Sequence, residues 1–274
     1  DGTVTPFKLS APSLVRVQAR LTLSATEPLP GANITGATTL YLLPYGGNQV
    51  LVFDGSDKPQ GLKLTGSGVS IAVPATTDTN YDVFVYDASS VATLELTAWT
   101  DDTTRATALS YQQGVLVSSA DTTRTYVGTV RTASTSGECE DSASRRFVWN
   151  MYNREPRQLF ARDVTTHTYS STTPRIWNNN SANRLELVTG QPQGVTISGA
   201  ATSSGTINAG NALVFVDGTG VSRVSSGNNA NAIVTGGIAA TAIVDGYVDL
   251  IVNQQSNGNT ATFFNVQAQA TVDT

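Results

Sequence analysis

Y-D-V-F-V-Y, at Tyr81–Tyr86, is the strongest strand signal in the chain. It packs β-branched and aromatic residues together without Gly or Pro. D-A-S-S follows at Asp87–Ser90, and then L-E-L-T-A-W at Leu94–Trp99. A strand, a polar turn and a second strand predict a β-hairpin.

The same texture extends outward. Leu14–Leu23 alternates apolar and polar residues, as a half-buried strand does. Leu40–Leu43 and Val50–Phe53 flank P-Y-G-G-N, which predicts a hairpin with a longer loop. Leu62, Leu64, Val69, Ile71 and Val73 mark further short strands. Leu109–Val117 contains Q-Q-G at a turn, and Tyr126–Thr132 and Phe147–Asn153 are strand-like. From Arg175 charge becomes sparse and Gly, Asn and Ala rise. Strands are predicted there at Arg184–Val188, Gly194–Ser198, Ala212–Val216, Ala232–Thr235, Gly246–Val252 and Thr260–Ala270. No helical-length window carries an apolar stripe of period 3.6.

The expectation is an all-β chain, an antiparallel jelly-roll-like β-sandwich in two consecutive parts with little helix. Residues 1–18 form an N-terminal arm and first strand, broken by Pro6 and Pro12. A β module spans 19–165 and a C-terminal sandwich-like domain spans 166–274, with a soft boundary near 155–175. The near-echo D-T-T-R-A at Asp102–Ala106 and D-T-T-R-T at Asp121–Thr125 is too isolated to set a solenoid period.

Composition narrows the function classes. Lys+Arg is 16 against Asp+Glu 21, a net charge of -5, so the chain gains little from releasing counterions along a nucleic acid. No nucleic-acid partner is expected. Only Lys8, Lys58 and Lys63 are lysines, and the remaining cations are Arg, which suits structured ion pairs. Thr is about one residue in seven, well above ordinary usage. No apolar run approaches the ~20 residues of a membrane-spanning helix, so no membrane insertion is expected.

Catalytic and metal chemistry find few residues. Cys139 is the one cysteine, flanked by Glu138 and Glu140, which disfavour a thiolate; it reads as a surface or half-buried thiol rather than a nucleophile. His167 is the one histidine, set in T-T-H-T-Y without a nucleophile elbow, and reads as structural. One His and one Cys exclude the usual zinc sites within one chain. D-G-S-D at Asp54–Asp57 reads as a turn rather than a calcium loop, and V-D-G-T-G at Val216–Gly220 as a hairpin turn rather than a phosphate loop. No cofactor, metal or catalytic residue is expected.

Carboxylates are the residues a glycan hydrolase would use. Asp101–Asp102 and Glu138, Glu140, Asp141 lie near arginines, Asp102 by Arg105 and Glu140/Asp141 by Arg145 and Arg146. They read as ion pairs that fix loops, inside the chain or between subunits, with Arg105, Arg124, Arg145 and Arg146 as the partners. One candidate binding site remains. Trp177, followed by Asn178, Asn179 and Asn180, offers an aromatic face with amides, the chemistry that holds a sugar ring and its hydroxyls. The competing reading is a Trp that anchors a loop.

Several phrases occur in a fixed order. A-R-L-T-L (Ala19–Leu23) precedes I-T-G-A-T-T-L-Y-L-L-P-Y-G-G-N (Ile34–Asn48), L-V-F-D-G-S (Leu51–Ser56) and Y-D-V-F-V-Y-D (Tyr81–Asp87). L-E-L-T-A-W-T-D-D-T-T-R-A-T-A-L (Leu94–Leu109), Q-G-V-L-V (Gln113–Val117) and T-T-R-T-Y-V-G-T-V-R-T follow. E-D-S (Glu140–Ser142) and R-R-F-V-W-N-M-Y-N-R (Arg145–Arg154) close the series. In this order, over about residues 19–177, the chain resembles a module of tailed-bacteriophage virion structural proteins, described as tail-fibre-like. The resemblance implies a β-rich component of the virion exterior without a cofactor, a homotrimer whose partners are other virion proteins and a host-surface glycan. It implies a short tail fibre or receptor-binding component acting by multivalent attachment, because the long repetitive shaft of a whole fibre is missing. A capsid decoration or head-fibre protein is the alternative within the particle, and a capsular polysaccharide depolymerase the alternative among enzymes. The opening D-G-T-V-T-P-F-K lacks the pattern of a secretion signal, and the expected location is the virion, assembled in a host cytoplasm and displayed on the particle surface.

Overall fold

Strands run in quick succession. β1 (Ala19–Thr22), β2 (Ile34–Ala37) and β3 (Thr39–Pro44) lead to β4 (Gln49–Phe53), β5 (Pro59–Lys63) and β6 (Val69–Ala72). Next come β7 (Asn80–Asp87), β8 (Ala92–Ala98), β9 (Leu109–Gln112), β10 (Val115–Ser118) and β11 (Thr125–Arg131). The short β12 (Cys139–Asp141), β13 (Arg145–Arg146) and β14 (Val148–Asn150) follow. β15 (Pro156–Asp163), β16 (His167–Tyr169) and β17 (Arg175–Ile176) precede a 3-10 turn at Trp177–Asn179. β18 (Arg184–Gly205), β19 (Asn211–Val216), β20 (Val221–Ser226), β21 (Val234–Gln255) and β22 (Ala261–Asp273) complete the set. The computed structural model describes residues 17–205, 211–216, 221–226, 234–256 and 258–274, with backbone alone from 205 to 242. Most of the expected N-terminal arm, the first residues of the Leu14–Leu23 strand, the V-D-G-T-G turn and the start of the Ala232–Thr235 strand lie outside the described residues.

The all-β expectation holds, with the 3-10 turn as the one helical element among the described residues. Pairing is antiparallel apart from a short parallel match of Arg145–Arg146 with Glu186–Leu187. β7 is buried from Asn80 to Val85, on both faces. Period-two alternation sends Tyr81, Val83 and Val85 into one core and Phe84 into another. The first core packs them against Leu21, Leu40 and Leu42 from the β1-β3-β6 sheet. On the opposite face Phe84, Tyr126 and Trp149 receive Val188 from β18. Three layers result, with the β8-β7-β11-β10-β9 sheet in the middle. Burying each of these large side chains contributes about 1.5–3 kcal/mol.

The predicted β7–β8 hairpin forms, in register from Tyr81↔Ala98 to Asp87↔Ala92. Its tip places both Ser89 and Ser90 at positive φ, as a two-residue turn matched to strand twist requires. The β9–β10 hairpin turns through Gln113 and Gly114, also both at positive φ. The hairpin predicted across P-Y-G-G-N does not form. β3 pairs with β1 and β6, whereas β4 pairs with β5. The reason lies in Gln18: Tyr45 N donates to its carbonyl, and its own N–H donates to Gln49 O. The chain is thereby carried from one sheet to another instead of folding back.

The second part departs further from the expected short strands. β18 and β21 are 22 residues each and pair from Arg184↔Ile251 to Ser203↔Val234, interrupted by an irregularity between Thr189 and Gln193. Before that irregularity β18 also pairs with β13; beyond it, from Thr196, it pairs with β22. One strand therefore borders both parts, and the sheet continues as β2-β12-β13-β18-β21-β19-β20. β15 pairs along its length with β22, so the chain changes partners at Pro156. Leu159, Leu185, Leu187, Phe263 and Trp177 share the core of this part.

At the irregularity, Gly190 lies so close to the middle sheet that a Cβ there would sit 1.9 Å from Tyr126 Oη and 2.4 Å from Thr129 Oγ1. Substituting Gly190→Ala is expected to destabilise the chain by about 3 kcal/mol, because backbone and core must shift to admit a methyl group. Gly31→Ala, where nothing lies within 4 Å, is expected to stay within about 0.5 kcal/mol. Urea midpoints of the two variants test the contrast, and equal midpoints would refute it.

Candidate functional site

Trp177 does not present a ring to a sugar. Its side chain is 1% exposed. It stands edge-on to Phe263 at 5.1 Å and to His167 at 5.5 Å between centroids. The loop-anchoring reading is the one the structure adopts. Trp177 O accepts hydrogen bonds from Asn180 N and from Asn183 Nδ2, and Asn178 N donates to Gln254 Oε1. Asn178 and Asn179 both have positive φ, which Asn tolerates better than most residues. Asn179 and Asn180 are exposed and Asn178 is half-buried. Asn180 Oδ1 is taken by Ala182 N. The amides reach the surface, but the aromatic platform beside them does not.

His167 stacks on Phe263, and its ring nitrogens face Thr165 O and Gln254 Oε1. Cys139 is buried rather than surface-lying, and its thiol meets Arg131 O. Burial pushes that thiol well above its ordinary pKa. Asp54 Oδ1 accepts from Ser56 N and Lys58 N, contacts that hold its carboxyl below the usual range. Asp57 Oδ1 accepts from Gln112 Nε2 and Thr122 Oγ1. The D-G-S-D segment is thus a turn, with Oδ1 of both carboxylates already accepting hydrogen bonds.

Arginines and carboxylates pair as a class, with one exchange of partners. Arg145 bonds Glu140 and Arg146 bonds Asp141, as their spacing suggests. Arg124 bonds Glu95 and Asp121. Arg105, however, bonds Asp82 at 2.8 Å, and Asp102 is bonded by Arg131 at 2.6 Å. Strand register brings these distant residues together more closely than sequence spacing does. The D-T-T-R echo is also offset in space. Asp101, not Asp102, accepts from the backbone two residues on, as Asp121 does in the second copy.

The Arg105, Arg131 and Arg145 pairs meet at the joint between the two parts. The Arg105 guanidinium donates to Gly190 O and lies over the Trp99 ring. Asp82 also accepts from Thr129 Oγ1, which touches Tyr126 Oη. Burial holds the Asp82 carboxyl above the ordinary range, although Arg105 pulls it down. Nearby, Arg131 lies 3.5 Å from the Tyr247 ring centroid, and Tyr247 N donates to Asp102 O. Tyr247 Oη donates to Glu186 Oε1, and Arg145 Nε donates to Glu186 Oε2. Glu186, Tyr247 and Asp249 were not singled out from the sequence, where each stands alone in an apolar or Gly-rich run.

Away from the joint, the β4–β5 turn is bound to the β9–β10 turn through Gln112 and Gln113 on Asp57, and to the Asp121–Arg124 turn through Thr122. Tyr111, on β9 beside this cluster, is 73% exposed.

No family model matches the chain, and no curated protein matches it. Among solved structures, infectious bursal disease virus (Gx strain) aligns at a TM-score of 0.30 and 10% identity, covering 89% of this chain and 72% of that one. The insecticidal delta-endotoxin Cry8Ea1 from Bacillus thuringiensis aligns at 0.26 and 10%, covering 94% of this chain and 52% of that one. Likenesses this distant carry no argument about function.

Two outcomes follow from the buried groups. Cys139 is expected to resist a thiol-specific disulfide reagent in the native protein and to react fully in denaturant; fast native labelling would contradict its burial. Trp177→Ala is expected to lower stability by about 3–5 kcal/mol in urea unfolding, as deleting a buried aromatic does.

Proposed function

We propose that the chain is a structural component of a virus particle of the tailed-phage kind, displayed on the exterior as a short tail fibre or receptor-binding head. The observation that carries this reading is the ordered series of phrases from Ala19 to Arg154, in which the chain resembles such virion proteins. The fold is compatible with that role. Its layers give a stiff body, and its turns gather into a polar cluster with an exposed aromatic beside it. Of the carboxylates a glycan hydrolase would use, Asp101, Asp102, Glu140 and Asp141 are engaged by hydrogen bonds or arginines, which supports binding over hydrolysis; Glu138 stands outside those pairs.

In this reading the protein works as a homotrimer with other virion proteins as neighbours. Weak contacts of each copy to host-surface glycan add through high effective concentration. Tyr111 replaces Trp177 as the contact group; the exposed Asn179 amide and Asn180 Nδ2 lie at the surface. Tyr111→Ala is expected to weaken binding to host cells about tenfold or more, the equivalent of about 1.4 kcal/mol, with unchanged unfolding. Unaltered binding would reject that contact. Light scattering of the purified protein tests the trimer, and a monomer would reject multivalent action. Antibody labelling of intact particles distinguishes tail from capsid: many copies over the head would replace the fibre reading with decoration. Release of reducing ends from host polysaccharide would replace binding with hydrolysis.

A further inference from the structure

Glu186 and Asp249 are direct register partners across β18 and β21. Such partners project to the same face with Cβ atoms roughly 4.5–5.5 Å apart, so two carboxyl groups confront each other. Both sit in the joint. Glu186 N donates to Ser144 O, and Tyr247, two residues before Asp249, packs edge-on against Phe147. Three of the four carboxyl oxygens are engaged: Glu186 by Tyr247 and Arg145, and Asp249 Oδ2 by Arg184 at 2.9 Å. Asp249 Oδ1 is buried without a hydrogen-bond partner.

The charges facing Asp249 come from four strands. β18 supplies Arg184 and Glu186, β13 supplies Arg145, β11 supplies Arg131, and its own β21 supplies Tyr247. Burial raises the Asp249 carboxyl, Arg184 lowers it and Glu186 raises it again, leaving it at about 6. The Tyr247 hydroxyl, raised by burial and by its bond to Glu186, stays a proton donor.

We propose that Glu186 and Asp249 form a proton-sharing carboxylate pair, a latch that tightens the β18–β21 ladder where it borders the joint when the medium turns mildly acidic. A proton taken from solvent by the Asp249 carboxylate removes one of two opposed charges and gives the orphaned oxygen an O–H to donate. Although Arg184 pairs with Asp249, the sign is opposite to that of a carboxylate whose pKa is depressed. Asp249 contributes its full stability below the ordinary carboxylate pKa and loses it as pH rises through about 6.

Urea unfolding of the full chain and of Asp249→Asn, between about pH 4 and pH 7.5, tests the latch. The ratio of wild-type to variant folding constants is expected to rise by up to about a hundredfold as pH falls across that window, since two pKa units correspond to two decades. A flat ratio, or one that falls, overturns the proposal. In a Glu186→Gln background the rise attributable to Asp249 is expected to shrink; an undiminished rise means burial alone, and the pair does not share a proton. Should either variant fail to fold, carbon-detected NMR of the wild-type Asp249 carboxyl decides. A midpoint near 6 supports the latch, and one below 4 removes it.

Discussion

The close approach of Gly190 to the middle sheet is the constraint on which the architecture depends. Its missing side chain lets the β18 backbone reach Tyr126, Thr129 and the Arg105 guanidinium. That contact aligns Val188 over Phe84 and Trp149, while Trp149 Nε1 finds Gln193 Oε1 just beyond the irregularity. The Asp82–Arg105 pair beneath it is a poor source of net stability, because desolvating both charges offsets their attraction. Its effect is specificity: losing either partner would strand a buried charge. Polar groups therefore fix where the two parts meet, and apolar layers supply the stabilisation.

A second tie closes the chain on itself. Arg20 on β1 donates to Pro28 O, Asn153 O and Thr274 O. Asn150 acts as a substitute strand, its side chain accepting from Leu21 N and donating to Leu21 O. Glu155 and Thr274 exchange backbone hydrogen bonds. The first strand, the end of the first part and the last strand thus share one set of bonds. In fold terms β2, β12 and β13 from the first part join the eleven-stranded sheet of the second.

How much of this was legible in sequence depends on distance along the chain. The Tyr81–Trp99 hairpin and the Gln113-Gly114 turn were readable because local alternation and turn chemistry specify them. Glu140–Arg145 and Asp141–Arg146 were readable because a short hairpin brings near neighbours together. Arg131–Asp102 and Arg105–Asp82 were not, since register between separate strands decides them. In the Gly- and Thr-rich run from Thr189 to Gly205 local alternation marks only Gly194–Ser198 as a strand, yet long pairing with β21 and β22 holds the whole run extended. Trp177 could be read either as a sugar platform or as a loop anchor for a similar reason. Three following asparagines mark a surface turn, and nothing local reveals that the ring points inward to Phe263.

The long β18–β21 ladder also sets how the molecule meets force. A pull along these strands meets many cross-strand hydrogen bonds in shear, so they must fail together. A pull at right angles would open them one after another, like a zipper. Since β18 borders both parts and pairs with β22, tension entering through β22 passes into the first part along the same strands.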